Sequence, residues 1–283
     1  MSDNSAIEWT EATWNPVTGC TRISAGCANC YIERTMPFRV ERRRFDGPQI
    51  GATTGVRLHP DRLGMPVRWR RPRRVFVNSL SDLFHASVPD EFIAEVFAVM
   101  AATPRHTFQL LTKRHGRMRA LLCDDEFRKL VQEEFATLAH EGVDVGDANP
   151  WQTWPLRNVW LGVSCEDQQR ADLRVPALLD TPAWIRWVSC EPLLGPIDLE
   201  RADSVAFCDG GLDWVVAGGE SGPGYRPVDL AWVRALRDQC TGSVHTKFLF
   251  KQVGGSTPKA GGRLLDGRIH DEMPGAGGGD ADA

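Results

Sequence analysis

The chain has 283 residues, 42% of them hydrophobic and 25% charged, with a formal net charge of −4. That length allows one large α/β domain or two small ones, and the composition is that of an ordinary globular protein. No apolar run reaches the roughly eighteen residues of a membrane-spanning helix. The polar start, Met1 to Thr10, has no hydrophobic signal region, so a cytoplasmic protein without a membrane partner is expected.

A short strand is expected before Cys20. The segment GCTRISAGCANCYIE, Gly19 to Glu33, then places Cys20, Cys27 and Cys30 in a Cys-x6-Cys-x2-Cys spacing. The other five cysteines are scattered and read as reduced core thiols, because a secreted disulfide scaffold is shorter and denser in cysteine. From Arg34 to Arg74, twelve arginines stand against three acidic residues. Such an insertion either meets phosphates or is a solvated arm whose arginines pair with acids elsewhere.

Beyond the arm, short apolar runs alternate with segments of helical period. Strands are expected over Arg74–Leu80, His106–Thr112, Asn158–Ser164, Trp184–Cys190, Asp213–Gly218 and Thr246–Lys251. Helices are expected over Pro89–Thr103, in the segment reaching His140, over Ala171–Leu179 and over Leu230–Cys240. About seven β–α steps favour a β/α barrel or partial barrel over an open doubly wound sheet. There is no P-loop and no GxGxxG. One barrel-like domain is expected over residues 1–254, with the arginine-rich insertion 34–74 and an irregular insertion 143–157 around Pro150, Trp151, Trp154 and Pro155. Residues 255–283 are expected to be a glycine-rich, partly disordered tail.

In such folds the chemistry sits beyond the carboxyl ends of the strands. Here each strand ends in a polar cluster: residues 78–82, 112–114, 164–167, 189–191, 219–222 and 251–252. Ser81 or Asp82 alone is what a helix cap requires. Lys113, Glu166, Glu191, Glu220 and Lys251 at one rim would need one another, water or a ligand, and a polar ligand site accounts for them together. Three thiolates so close in sequence suit one soft-metal centre. A structural zinc wants a fourth protein ligand, and His59 and His85 stand isolated; zinc completed by a distant His, and three unligated thiols, stay open as alternatives. A four-iron cluster held by three thiolates would keep one iron open for a small molecule.

The blocks WTEATWNPVTGCTRISAGCANCY, FVNSLSDLFH, LLTKR, WLGVSCE, SCEPLLGPI, GGESGPGYRP, FKQVGG and LDGRIHDEMP cover nearly the whole chain. Together they resemble the phage Gp37/Gp68 family, described by its three-cysteine motif. That family is similar in turn to radical S-adenosylmethionine enzymes of the spore photoproduct lyase-like branch. The resemblance implies a (partial) β/α barrel with a [4Fe–4S] cluster on Cys20, Cys27 and Cys30. Its open iron would chelate S-adenosylmethionine, and an electron donor would trigger cleavage to a 5′-deoxyadenosyl radical that takes hydrogen from the substrate. Ser79, Asp82 and Lys113, with Ser164 and Glu166, are then the expected cofactor contacts; Glu191, Glu220 and Lys251 are the expected catalytic groups on the substrate side. The cysteine loop is three residues longer than the usual Cys-x3-Cys-x2-Cys, and Asn29 stands where an aromatic residue often precedes the last cysteine, although Tyr31 follows it. Nucleic acid or a modified nucleotide is the expected substrate. The reading from another class is a non-catalytic, zinc-stabilised nucleic-acid-binding phage protein.

Overall fold

Seven strands pair in parallel in the order in which they occur along the chain. They are β1 (Ala12–Trp14), β2 (Arg74–Val77), β3 (Thr107–Thr112), β4 (Val159–Ser164), β5 (Ile185–Cys190), β6 (Trp214–Gly218) and β7 (Lys247–Gln252). The computed structural model describes residue 5 and residues 7–146, 148–257 and 259–275. An unreversed strand order means that the sheet is wound in one direction only. With the usual strand twist it curls into a half-barrel rather than an open doubly wound sheet.

The crossovers carry α1 (Asp90–Ala101), α2 (His115–Leu122), α3 (Asp125–His140), α4 (Gln168–Leu179) and α5 (Leu230–Thr241). Their starts follow capping chemistry: Asp124, Asp167 and Asp229 each accept a backbone N–H of the first turn. Asp167, one of the polar strand-end residues, is thus a helix cap. Between β1 and β2 there is no long helix. The cysteine segment and the arm fill that crossover, tied down by a two-residue antiparallel ladder, Val17–Thr18 with Arg57–Leu58. The described residues of 141–157 form neither helix nor strand, and Trp154 packs on Phe97 with ring centroids 6.0 Å apart. The tail is partly docked. Phe250 N donates to His270 O at 2.9 Å and Leu265 is fully buried, while residues 276–283 lie outside the described part.

Strand periodicity sorts side chains to two faces. Val75, Phe108, Leu110, Val163, Val188, Val215 and Phe248 face the helices. Phe76, Trp160, Ile185, Trp187, Trp214, Val216 and Leu249 fill the concave side, against Trp9. Gly162 is required on that inner face: a Cβ there would lie 2.4 Å from the Trp187 ring. Continuing the inward set by two residues per step leads to Lys113 after Leu111, Glu166 after Ser164, Glu191 after Ser189, Glu220 after Gly218, and Lys251 after Leu249. The aromatic plug closes the bottom of the half-barrel, and these charged residues stand at its mouth.

Candidate functional site

The cysteine loop is a strap across that mouth. It leaves β1 at Gly19, whose N–H donates to Leu80 O at 3.0 Å, with φ +94° and a Cβ position only 1.7 Å from Gly55 O, so that no other residue fits. Cys20 is pinned to the arm in both directions: its N–H reaches Thr54 Oγ1 at 3.0 Å and Thr54 N donates back to Cys20 O at 3.0 Å. The strap then crosses to β4, where Gly26 N donates to Glu166 Oε1 at 3.2 Å. At β6 the Asn29 amide donates to Glu220 Oε2 at 2.8 Å. It returns to the end of β2, where the Tyr31 hydroxyl donates to Ser79 O.

Three carboxylates from alternate strands hold this strap. Asp82, beyond β2, accepts from Thr112 Oγ1 (2.7 Å), Lys113 N (3.0 Å) and Arg114 Nη1 (2.9 Å). Arg114 extends the grip, with Nη2 on Thr21 O at 3.0 Å and Nη1 3.7 Å from Cys20 Sγ. Glu166 is fully buried and pairs with buried Arg174 at 3.0 Å. Burial would raise its pKa, but Lys113, Arg174 and hydrogen bonds from Ser24 and Gly26 hold it below the usual carboxylate range. Glu220 is shifted down likewise: against burial, Arg226 grips both of its oxygens and Asn29 bonds one. Arg226 also donates to Ala25 O at 3.1 Å, two residues before Cys27.

The requirement for a ligand at the rim is therefore met by the protein itself for Asp82, Glu166 and Glu220. Their hydrogen-bonding capacity goes to arginines and to the strap. Ser79 is bonded to Asn15, and Ser164 is buried with its carbonyl accepting from Arg174. The groups left facing the mouth are the half-buried Glu191–Lys251 ion pair and Lys113. Among the described residues, Lys113 Nζ makes no ion pair or hydrogen bond, yet its charge acts on Cys30, Cys165 and Glu166, which puts it between the strap and β4.

The three thiols are free and partly exposed; the charges of Cys27 and Cys30 act on Cys20, and that of Cys27 acts on Cys30. Burial pushes the Cys20 thiol up to about 12 against the pull of Arg114, and raises that of Cys30 against Lys113 and Arg22. Among the described residues no three His, Cys, Asp or Glu side chains converge on a single-ion site. His85 reaches Thr21 Oγ1 at 2.9 Å through Nε2 while Nδ1 accepts from Ser87 N, and burial holds its pKa down at about 4. His59 is bonded to Thr18 Oγ1 at 2.8 Å. Of the five scattered cysteines, Cys165, Cys190 and Cys240 are buried core thiols, as expected, whereas Cys123 and Cys208 are exposed and are not core residues.

Sequence reasoning missed the residues that hold the strap: Asn29, Arg114, Arg174 and Arg226. Three of them lie inside the quoted sequence blocks, but their partners are up to 201 residues away, so nothing local marks their role. The arginine-rich arm, continuous in sequence, divides into two parts in the structure. Arg43 is buried against Phe38, with hydrogen bonds to Thr18 and Thr54, and belongs to the strap's footing. Arg70 to Arg74 lead into the amino end of β2, at the opposite end of the sheet.

Fold and site together define a parallel β/α half-barrel protein with a three-cysteine strap clamped across its mouth. The chain belongs to the DUF5131 family, described as a protein family of unknown function, whose profile matches residues 4–274. No curated protein and no solved structure matches it. No helix among the described residues is long and apolar enough to cross a membrane.

Proposed function

We propose that Cys20, Cys27 and Cys30 hold a [4Fe–4S] cluster and that the protein is a radical S-adenosylmethionine-like enzyme acting on nucleic acid or a modified nucleotide. One observation carries this reading: three free thiols stand on one strap, clamped to alternate strands over a mouth where a free lysine and an ion pair remain. The charges around the thiols support this group. Arg114 beside Cys20, with Lys113 and Arg22 near Cys30, offset the charge of thiolate ligands. Both ring nitrogens of His85 are engaged, which speaks against a zinc site completed by that histidine. When bound, such a cluster with one open iron supplies the one-electron cleavage of the S-adenosylmethionine sulfonium.

The chain's own residues do the rest. Asp82, Glu166 and Glu220 position the strap. Lys113 presents an unpaired cation to an anionic group at the mouth, where a cofactor carboxylate would be received. The Glu191–Lys251 pair can hold or pass a proton at Glu191 Oε1. The strap itself excludes water from the reacting centre. The nucleic-acid preference draws on exposed Arg39, Arg42 and Arg44, which flank Arg43 at the footing of the strap.

The test is anaerobic reconstitution followed by reduction in the presence of S-adenosylmethionine. Turnover to 5′-deoxyadenosine is expected. Lys113→Met should keep the iron but lose at least tenfold in cleavage, about 1.4 kcal/mol. A fully loaded protein that leaves S-adenosylmethionine intact would overturn the enzyme reading. A colourless protein with one tightly bound zinc would establish the nucleic-acid-binding alternative.

A further inference from the structure

We propose that the amino end of the sheet is a second, separate docking face that takes single-stranded nucleic acid by its phosphate backbone. Every strand of the half-barrel points away from this end, so it shares no residue with the cysteine strap.

The register assembles the face. Arg74 pairs with Thr107 and Phe108 pairs with Val159. One residue further back, Arg73 and Arg157 therefore stand in one row on either side of the buried His106, about 10 Å apart at the usual strand spacing. Arg68, Arg70 and Arg71 extend this row as exposed side chains, and among the described residues they have no ion-pair partner. Arg105 donates to the carbonyls of Val67 and Trp69 at 2.8 and 2.9 Å, partners that leave its charge uncompensated. Two described carboxylates near this edge, Glu8 and Glu11, are already matched to Lys259 at 3.1 Å and Arg74 at 3.5 Å. Between them lies a crevice of about 530 Å³ lined in part by Thr10, Arg71, Pro72 and Lys259.

Two features select a nucleic-acid strand over a single phosphate. The cations are strung along an edge instead of converging on one point, which suits a repeating backbone. They also alternate with partly exposed tryptophans: the Arg73 guanidinium lies 5.2 Å from the Trp69 ring centre, and that of Arg157 lies 4.8 Å from Trp184. Basic side chains interleaved with aromatic faces form the stacking platform of single-strand binders.

The experiment is a fluorescence-anisotropy titration of a labelled oligothymidylate with the metal-free full chain over a series of salt concentrations. It needs no cluster, so its failure and that of the proposed enzymatic function are distinguishable. Reversing Arg70 and Arg71 together (Arg70→Glu, Arg71→Glu) should weaken binding at least tenfold at low salt. It should also lower the salt slope by about 1.4, since each lost single-strand phosphate contact removes about 0.7. The same charge change on the outer helical surface (Arg119→Glu, Arg201→Glu) should leave affinity within about twofold. Should the reversed variant lose its native circular dichroism, Arg70→Gln with Arg71→Gln carries the same test with a smaller expected loss. Unchanged binding in the rim variants would overturn the proposal. So would a wild-type protein that ignores the oligonucleotide and binds phosphatidylserine vesicles.

Discussion

The tripeptide Ser-Cys-Glu occurs twice, at the ends of β4 and β5, and the two copies lie side by side in register, Ser164 opposite Ser189. Both cysteines face the helix layer and both glutamates follow the inward period. Yet Glu166 is sealed, with no exposed surface, beneath Gly26 and against Arg174, whereas Glu191 stays half-buried in a pair with Lys251. The same three residues thus serve as a clamp at one strand end and as an open polar pair at the next. A strand-end carboxylate acquires its role from what crosses above it: β4 lies under the strap and α4 supplies an arginine to it, while β5 lies beside the opening.

The comparison is broken most directly by removing each carboxylate in turn. Glu166→Ala leaves Arg174 buried without its partner and should cost about 3–5 kcal/mol in denaturant unfolding. Glu191→Gln should change stability by about 1 kcal/mol or less, because its pair is partly exposed, while activity falls at least tenfold. Equal stability losses in the two variants would erase the distinction between clamp and open pair.

Acid should loosen the strap. The folded-state pKa of Glu166 lies below its ordinary value of 4.5, and that of Glu220 is depressed in the same direction. Their contribution is therefore complete above that ordinary value and is lost as the pH falls through the depressed one. Hydrogen exchange at the Gly26 amide, expressed as protection relative to the unfolded chain, should be flat from pH 7 down to about pH 5 and collapse below the ordinary glutamate range. Constant protection into strong acid would show that Glu166 does not hold the strap.

Much of this architecture was legible in the sequence. The run NVWLGVS predicts a strand over Asn158–Ser164, and the strand is Val159–Ser164; WIRWVSC predicts Trp184–Cys190, and the strand is Ile185–Cys190. Alternating apolar residues and crossover lengths also carry the half-barrel, since neither depends on distant partners. The convergence of Lys113, Glu166, Glu191, Glu220 and Lys251 was legible for the same reason, as each continues an inward-facing period. What separates Glu166 from Glu191 was not, because the partners are Gly26, 140 residues from Glu166, and Lys251, 60 residues from Glu191. The arm misled for a related reason. Linear charge density joins Arg42 to Arg74, while a parallel strand entering at Arg74 carries that end to the opposite edge of the sheet.

The central claim is that the strap exists to hold iron, and one measurement reads it directly: iron and acid-labile sulfide per chain in protein purified without oxygen. The account predicts about four of each, the stoichiometry of a cluster on three thiolates with one open iron. Cys20→Ala, Cys27→Ala or Cys30→Ala should each abolish most of it, while Cys123→Ala and Cys240→Ala retain it. Iron that is absent after careful anaerobic reconstitution, or that survives the loss of a strap cysteine, would contradict the account.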